Sequence, residues 1–352
     1  MHYSLKHFIW NRRSQMLLLE NIELYLSSGL TLFDALQIST NSFSKKQSFD
    51  LKKIISSIEQ GELFSRSLKI YVGFPETLVS LIEQGEYSGG LPRALGLARM
   101  IIEREDTLMK SCLSALAYPV IIGLFAVLLT VGLMKGVMPQ IIPLLKSLNV
   151  DLPILTRMVI FFSENLTIFV VYTLFFLVFV GPLFLFLINK YKLFKKYTQR
   201  FSLRIPLVGN IYRQYQLSIM IRSIGSLIMG GVSIESAYIR VVKKINLISL
   251  KDYFLDKAES ISSGVQLSLI FLNIKKIPTH VVPLIKAGEI SGNLGESLTR
   301  VSDIIDRDIE QNLKRLTSLI EPIMMIGMGC IIGAVALSIM IPIYDVSKVL
   351  QH

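Results

Sequence analysis

GEYSGGL, residues 85–91, returns as GEISGNL at residues 288–294, and this pair of stretches decides the fold. The same shift of 203 positions relates further pairs: Gly61 and Gly264, Ser65 and Ser268, Pro75 and Pro278, Pro119 and Pro322, and Pro139 and Pro342. Each copy ends in a long apolar run, and a third apolar run lies between the copies. This layout predicts a membrane protein built from two copies of one soluble-type module.

The composition agrees with a membrane protein. Hydrophobic residues make up 51% of the 352 positions, charged residues only 18%, and the mean hydropathy is +0.53. The formal charge of +11 is concentrated in residues 190–319, which hold 20 basic against 10 acidic residues, whereas residues 1–116 hold 13 against 12. The densest basic stretch directly follows an apolar run: Lys190, Lys192, Lys195, Lys196, Arg200 and Arg204. That position indicates a cytoplasmic membrane flank rather than a nucleic-acid surface.

Three apolar runs are long enough to cross a hydrocarbon core roughly 30 Å thick. We predict transmembrane helices at 117–139, 166–189 and 320–343. Basic residues before the first and third spans and after the second place the N-terminus in the cytoplasm by the positive-inside rule. The resulting organisation is a first cytoplasmic bundle at 1–116, a periplasmic loop at 140–165, a second cytoplasmic bundle at 190–319 and a periplasmic tail at 344–352. Two copies in direct orientation share one side of the membrane only if an extra span brings the chain back, and the second span does this.

Both modules have helical patterns, and period-2 strand patterns bounded by hairpin turns are missing from the sequence. The amphipathic run Gln15–Ser28 stops at Gly29, and Thr31 resembles a helix N-cap with Asp34 three residues on. Ser233 takes the corresponding place in the second copy. We therefore expect an all-α membrane protein with two tandem cytoplasmic bundles of about six helices each and three transmembrane helices.

The repeated GExSG element is predicted to be a turn between two helices. Gly85 and Gly288 would each end a helix, Gly89 and Gly292 would supply a positive φ, and the next helix would follow. The functional alternative is a partner-docking surface that uses Glu86 and Glu289. The full set of turn or docking candidates is Gly85, Glu86, Ser88, Gly89, Gly288, Glu289, Ser291 and Gly292.

A second echo is a charged triplet on the helix that leads to the membrane. Glu103, Arg104 and Glu105 correspond to Asp306, Arg307 and Asp308 at the same shift. Acids and arginines at helical spacing can form a solvated, salt-bridged face. The alternatives are a surface for a basic partner and carboxylates that bind a divalent cation, although one helix rarely offers enough oxygen ligands.

Catalytic and metal-binding motifs are missing from the sequence. Cys112 and Cys330 do not form a CxxC pair, and histidine occurs only at positions 2, 7, 280 and 352. There is no phosphate-binding loop, HExxH, GxSxG or dinucleotide fingerprint. We therefore predict a protein that is not an enzyme and has no metal and no cofactor, so that a partner supplies any ATP hydrolysis.

The doubled GExSG turn, in register with paired prolines at 119 and 322, resembles the inner-membrane platform proteins of type II secretion systems and type IV pili, the GspF/PilC family. The resemblance covers about residues 12–345. The first module starts almost at once, without the N-terminal segment of long members, so the compact form is similar to type IVb pilus platforms. In this resemblance the motif falls on the eight turn residues, and Pro119 and Pro322 mark membrane entry at the start of each repeated span.

The resemblance implies a scaffold in the bacterial inner membrane. Such proteins contact a hexameric cytoplasmic assembly ATPase, pilins or pseudopilins, other machine components and lipid, and they self-associate. Nucleic acid is not an expected partner. A polytopic transporter or channel is the main alternative, but its repeats usually hold several spans with polar groups at the midplane. A membrane-anchored enzyme is a weaker alternative.

Overall fold

The computed structural model describes residues 10–137, 139–140, 142–143, 154–176, 198, 203, 206–272, 274 and 280–349. Within these ranges the chain forms helices and turns, and no strand occurs. The prediction of an all-α protein is therefore confirmed for the described part of the chain. The predicted basic flank and most of the predicted second span, from residue 177 onward, lie outside the described residues.

The first copy begins with five short helices and continues into a long one. Their bounds are α1 Arg12–Ser27, α2 Leu32–Ser39, α3 Lys45–Glu59, α4 Phe64–Tyr71, α5 Glu76–Ser88 and α6 Leu91–Gly132. A short 3₁₀ segment, Thr40–Ser42, joins α2 to α3, and a π-helical segment, Leu133–Val137, follows α6.

Helix α7, Ile154–Phe175, lies between the copies. The second copy then repeats the order of the first with α8 Pro206–Met229, α9 Ile234–Val242, α10 Ile248–Asp256, α11 Ala258–Ser262, α12 Leu267–Leu272, α13 Val281–Ile290 and α14 Leu294–Val349. Seven described helices thus stand where about six were expected, because α10 and α11 together replace the single α3.

Local sequence signals explain where these helices begin and end. Thr31 caps α2, with its hydroxyl accepting from the Asp34 N–H at 3.2 Å and donating to the Asp34 carboxylate at 2.6 Å. Ser233 caps α9, with its hydroxyl accepting from the Ser236 N–H at 3.4 Å. Positive φ angles recur in pairs: 89° at Gly29 and Gly231, 85° and 83° at Gly61 and Gly264, and 73° and 74° at Gly89 and Gly292. Such angles favour glycine, so the repeat is visible in the backbone conformation as well as in the amino-acid sequence.

The chain divides into two compact units. One unit draws on Met1–Ser111 and Ser202–Gln311, so both copies of the repeat belong to it. Its core is apolar, and its largest fully buried side chains include Trp10, Phe64, Tyr238, Phe254 and Phe271. Phe254 has ring contacts with both Tyr238 and Phe271, at centroid distances of 6.2 and 5.4 Å.

The second unit draws on Cys112–Phe201 and Asn312–His352. A small apolar cluster of Met134, Val159, Ile160 and Val335 joins three of its helical segments. The Ser163 hydroxyl donates to the Met134 carbonyl at 2.9 Å, and the Thr156 hydroxyl donates to the Ser338 carbonyl at 3.1 Å.

Two described stretches have the length and apolarity needed to cross a membrane, Leu91–Gly136 and Leu294–Ser338. They include residues 117–136 of the predicted first span and residues 320–338 of the predicted third span. The helices differ from the predicted boundaries: residues 154–165, predicted as part of a loop, belong to α7, and residues 344–349, predicted as a tail, belong to α14.

Candidate functional site

The glutamate of the first GExSG motif caps a neighbouring helix. Its oxygen Oε1 accepts a hydrogen bond from the backbone N–H of Phe64 at 2.6 Å, and Oε2 accepts one from the N–H of Ser65 at 3.1 Å. These N–H groups are the first two of α4 and have no partner inside that helix. A carboxylate at a helix N-terminus also interacts favourably with the helix dipole. Glu86 therefore ties α5 to the start of α4.

The second motif has the same geometry. The carboxylate of Glu289 accepts from the backbone N–H groups of Leu267 and Ser268, which begin α12, and from the Ser268 hydroxyl at 2.5 Å. The Ser268 hydroxyl is an additional donor, because only the two N–H groups contact the glutamate in the first copy. Both motif glutamates thus cap a helix, and their carboxylates form these hydrogen bonds within their own copies.

The motif's first glycine has a different role from the predicted one. Gly85 lies inside α5 and Gly288 inside α13, so neither ends its helix, and that expectation is wrong. A Cβ at Gly85 would overlap the Cβ of Ala94, and a Cβ at Gly288 would overlap the Cβ of Ser297. These glycines allow α5 to approach α6, and α13 to approach α14, more closely than any other residue would permit.

The end of each motif forms the predicted turn. Helix α5 ends at Ser88, and the following Gly89 has the left-handed backbone conformation. Gly292 has the same conformation after α13. Ser88, Gly89, Ser291 and Gly292 are all exposed. The corners therefore expose these small residues beside the exposed side chains of Tyr87 and Ile290, while the motif glutamates bind a helix end.

The charged triplets do not occupy equivalent environments. In the first copy Glu103 and Arg104 are exposed, and Glu105 pairs with Arg12 at 2.6 Å. In the second copy Arg307 is exposed and Asp308 is half-buried, but only 7% of Asp306 is exposed. The shift in the sequence therefore preserves the charges without preserving their surroundings.

Asp306 belongs to a buried polar cluster. Its carboxylate accepts from the Ser218 hydroxyl and from Arg222 Nη2, the latter at 2.5 Å, and the same nitrogen lies 3.0 Å from Asp303. Burial raises the pKa of Asp306, and the bond from Ser218 and the charge of Arg222 oppose that rise. Among the described residues no group of acids, histidines or cysteines is arranged to hold a metal ion. The prediction singled out Asp306 but missed Arg222, whose role depends on how α8 packs against α14.

A contact between the two copies was also missed from the sequence. The Arg240 guanidinium on α9 donates to the Ser80 hydroxyl on α5 at 2.7 Å and lies 3.9 Å from the Glu83 carboxylate. Leu81 packs so closely on Gly230 that a Cβ there would overlap its Cδ1 atom. A polar cleft of about 270 Å³ lies along this contact, lined by residues of α5 and of the turn and helix around α9.

The two prolines predicted to start membrane helices lie inside longer ones. Pro119 is within α6 and Pro322 is within α14, so the helices begin well before them, and membrane entry at the two prolines stays a prediction. Each proline lacks an N–H and leaves a carbonyl of the preceding turn without its helical partner. Beside them, the Tyr118 hydroxyl and the Glu321 carboxylate are 3.3 Å apart, and these two residues are themselves related by the repeat shift.

Comparison with known proteins reproduces the repeat. The family model described as "Type II secretion system (T2SS), protein F" matches residues 18–139 and again residues 220–342. The two matched segments begin 202 positions apart and end 203 positions apart, which agrees with the shift found in the sequence.

The alignments with individual relatives cover most of this chain and most of each relative. A type IV pilus assembly protein PilC of Thermus thermophilus is 30% identical over 333 residues, covering 91% of this chain and 79% of the relative. A type II secretion system protein F of Pseudomonas aeruginosa is 25% identical, covering 96% and 83%. A protein transport protein HofC homolog of Escherichia coli is 25% identical, covering 97% and 86%.

Proposed function

Because the chain belongs to the family of type II secretion system protein F, we propose that it is a non-enzymatic platform in the inner membrane of a type IV pilus or type II secretion machine. In this role it couples a hexameric cytoplasmic assembly ATPase to the assembly of pilins or pseudopilins. The names of its relatives support the coarser statement that it is a component of a pilus or secretion machine. The scaffold role, the ATPase and the pilin partners are the proposal.

One observation carries the proposal: two copies of a helical module share one unit, and each copy leads into an apolar helix. The most apolar stretch of Leu91–Gly136 has none of its residues buried, and that of Leu294–Ser338 only 6%. Apolar surface of this extent is stable in lipid rather than in water. We infer spans at 117–139, 166–189 and 320–343, with the N-terminus and both modules in the cytoplasm, where an ATPase is available.

The proposed docking surface is the exposed end of each GExSG corner. Ser88, Gly89, Ser291 and Gly292 are open to a partner, whereas Glu86 and Glu289 already bind helix N-termini. A charge reversal at either glutamate therefore changes both the local fold and the surface. A substitution at the neighbouring serine changes the surface while leaving the glutamate's contacts in place.

Copurification with the assembly ATPase from the same genome tests the docking. The full chain is tagged, solubilised in detergent and captured, and bound ATPase is quantified for Ser88→Arg, Ser291→Arg, Glu86→Lys and Glu289→Lys. Ser56→Arg, an exposed serine on α3, is the matched control. We expect the arginine variants at the corners to reduce ATPase capture while the control keeps it. Full capture by all four corner variants would remove the corners from the docking surface.

Two further measurements test the rest of the proposal. Substrate-dependent flux through proteoliposomes of the purified chain would favour the transporter or channel alternative and contradict the scaffold. Reporter fusions after residues 150, 260 and 350 test the topology. An external signal at 260 would refute the three-span arrangement.

A further inference from the structure

The contact between the two copies uses one surface from each, and the repeat contains a second example of both. The α5 face comprises Ser80, Leu81, Glu83 and Gln84. The α9 face comprises Gly230, Val232, Ser236 and Arg240. In the chain, the α5 face of the first copy packs on the α9 face of the second copy through the Arg240–Ser80 bond, the approach of Arg240 to Glu83 and the packing of Leu81 on Gly230.

The repeat locates the counterparts of these surfaces, at a shift of 203 positions for the α5 face and of 202 positions for the α9 face, the shift that also relates Gly29 to Gly231. The α13 face, on the second copy, comprises Pro283, Leu284, Lys286 and Ala287. The α2 face, on the first copy, comprises Ser28, Leu30, Asp34 and Ile38. All eight residues are exposed. The difference is clearest at one position. Leu81, which packs on Gly230, is 0% exposed, whereas its counterpart Leu284 is 37% exposed.

We propose that the α13 face binds the α2 face of a second copy of this chain, in an arrangement that resembles the contact already made inside each chain. The occupant follows from the repeat, because inside the chain the α5 face packs on the α9 face, and the α2 face is the counterpart of the α9 face. The proposal depends on the repeat and on these contacts, and not on the ATPase coupling proposed above.

Charge and apolar surface favour the same pairing. Glu83 and Ser236 line the same cleft, and their counterparts are Lys286 and Asp34, which carry opposite charges. Leu284 on one side and Leu30 and Ile38 on the other add exposed apolar surface, with 39% of Leu30 and 42% of Ile38 exposed. The charge order is reversed from that of the internal contact, in which the acid lies on α5. This reversal favours the α13 face meeting an α2 face over its meeting the Arg240 side of α9.

One difference limits how closely the second contact can copy the first. Gly230 corresponds to Ser28, and a Cβ at Gly230 would overlap the Leu81 Cδ1 atom. Leu284 must therefore turn its flexible end away from Ser28, or the two helices must stand slightly farther apart. We therefore expect the contact between chains to use the equivalent helices but to pack less closely than the internal contact.

The pairing has a consequence for symmetry. Each chain carries one α13 face and one α2 face, so the contact is heterologous and generates a closed ring or an open array. In a ring of two chains, each α13 face meets the α2 face of the other chain and four modules alternate around the ring. A pairing of two α13 faces with each other is excluded by this arrangement.

Cross-linking between differently tagged full-length chains tests the pairing in membranes. Cys112 and Cys330 are first replaced by serine. One tagged chain then carries Lys286→Cys, the other carries Asp34→Cys, and a short bis-maleimide is added to membranes that contain both. We expect an adduct of two chains that bears both tags. The control pairs Asp34→Cys with Lys52→Cys, an exposed position on α3, and is expected to give at least ten-fold less adduct.

The outcomes separate the proposal from its alternatives. Equal cross-linking of Lys286→Cys chains to each other would indicate a symmetric α13 contact and overturn the proposal. Adduct at the level of the Lys52→Cys control would overturn it as well.

Charge exchange supplies a second, independent test on detergent-solubilised protein. Lys286→Glu and Asp34→Lys are each expected to weaken self-association roughly 2–5-fold, as for an exposed ion pair, and the double variant is expected to restore it. Lys52→Glu is the control that should leave the mass distribution unchanged. Helical circular dichroism checks that each variant is folded. Unchanged self-association in both folded single variants, or a failure of the double variant to restore it, would contradict the Lys286–Asp34 pairing.

Discussion

Replacement of Glu86 by glutamine should loosen helix α4 without disturbing α5. In the native chain each carboxylate oxygen accepts one of the first two N–H groups of α4, at 2.6 and 3.1 Å. Glutamine keeps one acceptor oxygen, loses the charge and turns an NH₂ group toward the other donor. A hydrogen bond to a charged group contributes about 1.5–3 kcal/mol, and the loss of a helix cap costs about 0.5–2 kcal/mol.

We therefore expect the local opening of α4 to become easier by about 1.5–3 kcal/mol. That free energy corresponds to roughly 10- to 150-fold faster amide exchange, because each 1.4 kcal/mol is a factor of ten. Hydrogen–deuterium exchange of the full chain in detergent measures this directly on peptides from residues 64–71. A local measurement is preferable to a melting temperature, because a chain with two units need not unfold in one step.

The matched variants sharpen the result. Glu289→Gln should accelerate exchange in α12 in the same way, since Glu289 binds the first two N–H groups of that helix and the Ser268 hydroxyl. Glu59→Gln, an exposed acid at the end of α3, removes one charge nearby and should leave both helices unchanged. Exchange in α4 that is no faster in Glu86→Gln than in the control would refute the capping argument.

The remaining predictions concern the close approach, the buried ion pair and an exposed one. Gly85→Ala should destabilise the first copy by about 1–3 kcal/mol, because the new Cβ would overlap α6, and urea unfolding of the variant should have a lower midpoint. Asp306→Ala should lower the free energy of unfolding by about 3–5 kcal/mol, because it leaves Arg222 buried with only the half-exposed Asp303. Replacement of both Asp306 and Arg222 by leucine should recover most of this loss. Equal stability of the single variant and the native chain would contradict this account. The hydrogen bond from Lys69, 2.5 Å away, lowers the pKa of Glu76 below its ordinary value of 4.5, so the pair's contribution to stability is present above that value and is lost as the pH falls through the lowered pKa. Lys69→Met should abolish this part of the pH dependence of exchange in α5, and an identical pH profile in the two proteins would show that the pair contributes nothing.

The features that were predictable from the sequence are those that depend on a few neighbouring residues. The Thr31 cap and the positive φ of Gly89 are of this kind, because a short polar side chain or a missing Cβ determines the local backbone. The repeat strengthened each prediction, since the same local signal occurred twice. The all-α architecture followed from the accumulation of such signals over both copies.

Features that depend on distant neighbours were not predictable. Glu86 binds N–H groups more than twenty positions earlier in the chain, so its spacing gave no sign of a cap. Gly85 was expected to end a helix, but it is needed because α6 passes too close for a Cβ. Asp306 was assigned to a charged face, yet the packing of α8 places it beside Arg222 in the interior. In each case the deciding residue lies on another helix.

The internal contact between Leu81 and Gly230 can form only after the second copy has been synthesised. The two residues are 149 positions apart, and a ribosome adds about 5–20 residues per second, so α5 waits roughly 7–30 s for its own α9 to be synthesised. During that interval the first copy is complete, but its Ser80 and Leu81 surface is uncovered. The α9 of a neighbouring nascent chain can fill it first, which is the route to domain-swapped pairs. Slowing translation between the copies should therefore raise the yield of exchanged dimers, whereas synthesis of widely separated chains should suppress them.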